Sequence, residues 1–272
     1  MATTAATGFD TDVRAAYALT LEYDGTAFSG WQRQPGRRTV EGVLLLAIAG
    51  ATGEQALLTA AGRTDAGAHA HGQVVGCTLR KPWDPARLAA AINAHLPEDV
   101  VVVDAQMAPP TFHARFDAIA RSYRYVVSPR RQRQAVARQY AWCVRGPLDT
   151  EAMRRAAQQL LGTHDFASFG RSPRPGGTTV RTVRSVDVRR VEAPEVGAAG
   201  DAPPRAVVII DVEADAFLYG MMRAIAGALV AVGTGHLADE DFRALVDEPA
   251  VGRPRIAVAP AHGLHQWQVT YS

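Results

Sequence analysis

Tyr17, Leu19, Leu21 and Tyr23 alternate with smaller or polar residues in YALTLEY, a period of two that predicts a strand with one buried face. The spacing then changes: Thr39 stands as an N-cap before a helix from about Val40 to Thr52. QVVGCTLR (Gln73 to Arg80) reads as another strand, and Asp84 followed by Pro85 opens a helix in DPARLAAAINAHL. VVVVDAQM (Val100 to Met107) is apolar enough to predict a buried strand. The first half is therefore mixed α and β.

The second half repeats that mixture. SYRYVV (Ser122 to Val127) is strand-like, and LDTEAMRRAAQQLLG places Asp149 as a cap, with Met153, Ala156, Ala157, Leu160 and Leu161 at helical spacing and Gly162 just past the end. TTVRTVRSVDVRRV (Thr178 to Val191) and AVVIIDVE (Ala206 to Glu213) predict two strands joined by EAPEVGAAGDAPPR, a flexible hairpin connection. Helices follow from about Leu218 to Val232 and over Asp239 to Asp247, and LHQWQVTY closes the chain as a strand. LTLEYDGTAFSGW and VIIDVEADAFLYGM share strand, acid and Ala-Phe. A duplication would give two similar α/β halves, with a boundary near Phe116 to Ser122 and a ligand groove between them.

Composition bounds this picture. At 272 residues, 47% hydrophobic and 21% charged, the chain can hold one large or two modest cores. Cys77 and Cys143 are too few and too far apart for a disulfide framework or a thiolate zinc site, which fits a reducing cytoplasm. The first fourteen residues lack an apolar signal region and are expected to be a disordered leader, and no run is long enough to span a bilayer.

The net charge of +2 hides an asymmetry. Between Phe112 and Arg190 stand sixteen arginines against five acids, whereas the remainder of the chain is acidic. Blocks such as RRQRQAVAR can be solvated surface; the sharper reading is a polyphosphate partner whose backbone the arginines neutralise.

The stretch AAGRTDAGAHAHGQ (Ala60 to Gln73) carries Arg63, Asp65, His69 and His71 among residues too small to make a core. Small neighbours let a backbone turn tightly and a bulky ligand come close. GRTDAGAH has the glycine spacing of a phosphate loop, but Ala68 and His69 stand where Lys and Ser/Thr would hold phosphate and magnesium. Asp65, His69 and His71 lack a recognised metal-ligand spacing, and on pattern alone the favoured reading of Asp65 is an Asx-turn residue.

The segment Gly62 to His69 closely resembles the G-R-T-D-A-G-x-H catalytic signature of the tRNA pseudouridine synthase A (TruA) family. YDGTAFSGWQRQP, TFHARFDA, RSYRY, HDFASF, RTV, AFLYGMMR and HGLHQWQVTY are similar to that family's further blocks, in the family's order, from about Ala15 to Tyr271. The resemblance implies an α+β fold of two similar, ferredoxin-like α/β halves, 15–118 and 119–272. These would surround an extended, mostly antiparallel sheet with a central cleft. It also implies an isomerase that detaches uracil from its ribose at N1 and reattaches it through C5, at positions 38, 39 and 40 of the tRNA anticodon stem-loop. No cofactor or metal is implied. The expected partners are tRNA and a second copy of the chain, with no membrane, in the cytoplasm.

Carried over by position, Asp65 is the nucleophile or base. The arginine at Arg223 should pair with it and keep it charged. Tyr123 matches the tyrosine that stacks on the target uracil, although Tyr125, on the same strand face, could serve by spacing alone. Arg63 is expected to help evert the base and Leu264 to line the pocket floor; His69 and Tyr125 complete the candidate substrate-binding set. Departures from the family pattern are Met222, Ala224 for Asn, and Gln266 where an apolar residue is expected, the last putting the floor around Leu264 in question. Two rivals differ in chemistry: a silent RNA-binding protein would have no need of Asp65, Arg63, Tyr123 and Arg223 together, and a metal-dependent RNA hydrolase would need Asp65, His69 and His71 on one ion.

Overall fold

The structure is a computed structural model that describes residues 14–133, 135–193, 205–249 and 257–272. The expected leader, apart from Arg14, and most of the EAPEVGAAGDAPPR connection lie outside the described residues. In chain order the first elements are strand β1 (Ala15–Tyr23), helix α1 (Val40–Thr52), strands β2 (Leu57–Ala60) and β3 (His69–Leu79), helix α2 (Pro85–Asn93) and strand β4 (Val100–Ala108). Strands β5 (Ala118–Arg130) and β6 (Trp142–Arg145), helix α3 (Thr150–Gln158), and strands β7 (Gly162–Asp165), β8 (Val180–Ala193) and β9 (Arg205–Ala214) follow. Helices α4 (Met221–Gly233) and α5 (Asp239–Asp247) and strand β10 (Leu264–Tyr271) complete the fold.

The period of two in β1 is realised: Tyr17, Leu19, Leu21 and Tyr23 are buried against α1 and α2, each of the larger apolar side chains contributing roughly 1.5–3 kcal/mol. Thr39 caps α1 by accepting from the Gly42 amide, and Asp84 and Asp149 cap α2 and α3 from the positions their spacing predicts. Leu161 falls outside α3 and is exposed, because the helix stops at Gln158 and Gly162, at φ +100°, turns the chain into β7. α4 starts three residues later than its apolar spacing suggests, since Gly220 before it is left-handed at φ +78°. β4 departs most from expectation. Only Val100 and Val102 are buried in it and Val103 and Met107 are exposed, because it is a sheet edge with one covered face.

Among the described residues ten strands form one sheet in the order β4-β1-β3-β10-β5-β9-β8-β7, with β2 beside β3 and β6 beside β5, and of its strand pairs only β10–β3 and β5–β6 run parallel. The α+β architecture with a mostly antiparallel sheet is as expected. Within 15–118 the β-α-β-β-α-β chain has its strands in the order fourth, first, third, second. β5, β8, β9 and β10 repeat that order in the second half, with α3 and α4 as the two helices. The echo between LTLEYDGTAFSGW and VIIDVEADAFLYGM is not this repeat. It aligns β1–α1, a first strand and first helix, with β9–α4, a third strand and second helix.

The two halves join where His265 and Gln266 of β10 pair with His69 and Ala70 of β3. β10 lies mid-sheet at this seam, so Leu264, His265 and Gln266 are all buried despite pointing alternately to opposite faces. The loop between β2 and β3 reaches the seam, and it carries GRTDAGA.

Candidate active site

Five anchors leave the 61–68 loop little freedom. The Ala61 amide donates to the Val74 carbonyl at 2.9 Å, and the buried Gln73 amide donates to the Gly62 carbonyl at 2.8 Å. The Trp31 amide donates to the Thr64 carbonyl at 3.1 Å, while the Thr64 and Tyr23 hydroxyls share a bond at 2.7 Å. Gly67, at φ +81°, closes the turn in which the Ala68 amide reaches the Asp65 carbonyl, a conformation that disfavours side chains.

That turn aims the Asp65 side chain across the seam at α4. Arg223 Nη1 donates to Asp65 Oδ2 at 2.6 Å, and Arg223 Nε donates to the Ala259 carbonyl at 2.7 Å. The Ala259 amide returns a bond to the Arg223 carbonyl, so segment 257–259 holds this arginine by both side chain and backbone. Gly227 makes the support possible: a Cβ there would stand 1.9 Å from the Ala257 carbonyl oxygen. The pair is only partly covered, with 18% of the Asp65 side chain and 23% of that of Arg223 exposed. Asp65 Oδ1 has no protein partner among the described residues. The carboxylate is spent on Arg223, not on an Asx turn.

Both groups line a cavity of about 970 Å³, at the upper end of the range for ligand pockets. Arg63, Tyr123, Phe217, Met222 and Leu264 share its wall. The Tyr123 ring packs edge-on against Phe217 with centroids 4.7 Å apart. Burial pushes its hydroxyl up, Arg121 pulls it back in part and Asp65 adds to the rise, leaving it at about 12. Tyr123 is therefore a proton donor throughout the neutral range. Arg63 is exposed on the cavity wall and carries no ion pair among the described residues.

The structure thus brings Asp65, Arg223, Tyr123, Arg63 and Leu264 together. Two expected substrate-binding residues lie elsewhere. Tyr125 is fully buried behind Leu264, its hydroxyl donating to the Pro260 carbonyl at 2.6 Å and its ring pressed on Gly263. His69 is also buried: Nδ1 accepts from the Gly25 amide at 3.1 Å and Nε2 donates to the Gln139 carbonyl at 2.7 Å. Both support the site from outside the cavity. The suggested ion ligands do not converge either; His71 packs against Trp267 and His265, and among the described residues no group of three such donors is close enough to share a metal.

The sequence reading missed Gln73 and Arg121. Arg121 is a buried guanidinium that donates to the carbonyls of Ala61, Arg115, Ala118 and Asp215, tying the loop to β5 and to the approach to α4. Backbone carbonyls leave no mark in sequence, so nothing set this arginine apart from its neighbours. Gln266, the departure from the family pattern, leaves Leu264 in the cavity wall. It donates from Nε2 to Gln73 Oε1 at 3.0 Å and so steadies the side chain that holds Gly62.

Comparison with known proteins gives one consistent result. A family model described as tRNA pseudouridine synthase matches residues 19–117 and 156–272. Proteins named tRNA pseudouridine synthase A from Allorhizobium ampelinum and Rhodopseudomonas palustris are each 40% identical to the chain; the alignments cover 94% of it and 94% and 98% of those proteins. The protein of that name from Agrobacterium fabrum is 39% identical over 94% of the chain and 92% of its own length.

Proposed function

The chain belongs to the tRNA pseudouridine synthase family, a family of isomerases, and from that premise we propose that it converts uridine to pseudouridine at positions 38, 39 and 40 of the tRNA anticodon stem-loop, with Asp65 as the reacting carboxylate. The observation that carries this reading is the 2.6 Å contact between Arg223 and Asp65 at the wall of a cavity large enough for a nucleotide. A carboxylate covered by a base needs a fixed cation to remain charged, and Arg223 supplies it from the opposite half.

The division of labour follows from position. C1′ and C5 cannot be worked on inside a paired stem, so the target must leave the stack; Arg63, exposed on the cavity wall, fills the vacancy or pushes the base. Tyr123 and Leu264 sandwich the everted uracil, and the Tyr123 hydroxyl is placed to donate or relay a proton. Asp65 Oδ1, the oxygen not engaged by Arg223, faces the reacting ribose and ring. Cleavage at N1 and bonding at C5 transfers no electrons and consumes no water; the C5 hydrogen is lost as a proton and N1 gains one. His69 and Tyr125 brace the loop and floor. Residues 15–118 and 119–272 act as two halves that meet at the cleft, and a homodimer in the cytoplasm grips the tRNA. No described helix is long and apolar enough to cross a membrane.

Purified protein in EDTA is expected to release tritium from C5-labelled uridine in unmodified tRNA. Asp65→Asn is expected to abolish release, about 10⁴-fold or more, while tRNA binding and thermal unfolding stay as in the parent. Dependence of release on added metal, or release undiminished in Asp65→Asn, would overturn the assignment.

A further inference from the structure

The cavity extends beyond the reacting groups into a lobe that the chemistry above does not use. Arg115, Arg171 and Arg181 line it and Arg174 adjoins it; they come from the segment before β5, the loop after β7, and β8. Three arginines elsewhere in the basic middle of the chain have carboxylate partners: Arg124 with Asp211, Arg189 with Asp187 and Asp211, Arg154 with Glu151. Among the described residues none of Arg63, Arg115, Arg171, Arg174 and Arg181 has one. Their charges act on one another. Burial first, then the guanidiniums of Arg174, Arg63 and Arg181, hold Arg115 below the usual arginine value. Among the described residues Arg181 Nε is buried without a partner, while its Nη1 donates to the carbonyls of Thr178 and Val180. Like charges held together with unused donors cost stability until an anion arrives.

The same lobe presents aromatic faces to solvent. Tyr219 is 56% exposed, with the Arg171 guanidinium 4.8 Å from its ring centre; Phe116 is 64% exposed, with Arg115 at 5.7 Å. Reciprocal backbone bonds between Arg171 and Tyr219 fix the 171–177 loop to the approach to α4, so this platform is held at a set distance from Asp65. Arginines without carboxylate partners beside solvent-exposed aromatic rings match the needs of an unpaired strand, whose bases have free faces; a duplex hides those faces in its own stack.

We infer that this lobe holds the RNA strand beside the everted uridine in single-stranded form, with consecutive phosphates on Arg115, Arg174 and Arg181 and a neighbouring base stacked on Tyr219. The inference rests on the tRNA reading above and adds to it that the stem opens beyond the target nucleotide.

The test is binding of an unmodified full-length tRNA transcript, measured by fluorescence anisotropy across a potassium chloride series. Arg115→Ala and Arg174→Ala are each expected to weaken binding and to reduce the slope of log K against log salt by about 0.7–0.9, one phosphate each. Tyr219→Leu is expected to weaken binding about tenfold with the slope unchanged, and Tyr219→Phe to restore the affinity. Slope changes in the arginine variants with Tyr219→Leu neutral would mean that the stem stays paired, and would overturn the inference. Unchanged affinity in all variants would overturn it equally. Failure of the unaltered protein to release tritium would defeat the functional reading instead, and it is read in the release assay independently of these binding curves.

Discussion

The two ends of the GRTDAGAH loop both carry ionisable groups, and the fold uses them in opposite ways. At the Asp65 end the carboxylate gives one oxygen to Arg223, the other has no partner among the described residues, and the residue lines a cavity. At the His69 end three imidazoles, of His69, His265 and His71, stack with centroids 4.8 and 5.4 Å apart. That second end is closed. His69 and His265 donate to the carbonyls of Gln139 and Tyr140, His71 bonds His265 at 3.3 Å, and the Tyr140 hydroxyl donates to Asp24 at 2.6 Å. A satisfied polar network specifies structure, whereas a group with a spare lone pair in a cavity is available for chemistry. The difference lies in what remains unbonded, not in residue type.

The comparison is broken most severely at its open end. Arg223→Met would leave Asp65 without its cation and is expected to lower single-turnover tritium release about 10²–10³-fold, with tRNA affinity nearly unchanged. Arg223→Lys should recover only part of this, because one ammonium cannot serve both Asp65 and the Ala259 carbonyl as the guanidinium fork does. A variant as active as the parent would mean that the open pair is structural like the closed one.

The closed end should answer to pH through stability. Burial lowers His265 to about 4, Arg124, His69 and His71 add to the shift, and its bond to the Tyr140 carbonyl opposes it. The unfolded chain takes up a proton near the ordinary value of 6.5 and the folded one only near 4, so stability is whole above 6.5 and falls as pH drops through that window. The loss at this site reaches about 3 kcal/mol below pH 4. Urea unfolding at pH 7, 5 and 4 should show it in the parent and not in His265→Gln; equal slopes in the two proteins would remove His265 from the account.

The smallest effect sharpens the boundary between the ends. Gln266 lies in β10 between the histidine stack and Tyr123, its register partner across β5. Gln266→Leu removes the donor that steadies Gln73, an expected loss of about 1 kcal/mol in the transition state, or roughly fivefold in the rate, at unchanged tRNA affinity. An intact rate with raised thermal stability would make the Gln73–Gln266 pair a packing feature alone.

Much of this was legible along the chain, for local reasons. The alternation in β1, the caps Thr39, Asp84 and Asp149, and the apolar spacing of α3 and α4 depend on neighbours within a few residues, and the resemblance brought Asp65, Tyr123 and Arg223 forward. Edge exposure in β4 was not legible, because Val103 and Met107 look alike whether or not a strand covers them. The charge count pointed to an anion without distinguishing Arg115 and Arg174, which have no carboxylate partner among the described residues, from Arg124 and Arg189, which both reach Asp211 on a neighbouring strand. The Tyr123 and Tyr125 pair was likewise undecided by spacing, since both lie on one face of β5.

By itself the sequence determined the element types, the α+β class and the candidate site residues, because hydrophobic period, capping and motif are short-range properties of the chain. Tertiary structure alone decided that Asp65 and Arg223, 158 positions apart, share a hydrogen bond, that Tyr123 faces the cavity while Tyr125 braces Pro260, and that one loop has an open and a sealed end. Those outcomes depend on which strands become neighbours at the β3–β10 seam, and strand pairing over such separations is set by the packing of the whole sheet, not by any local stretch.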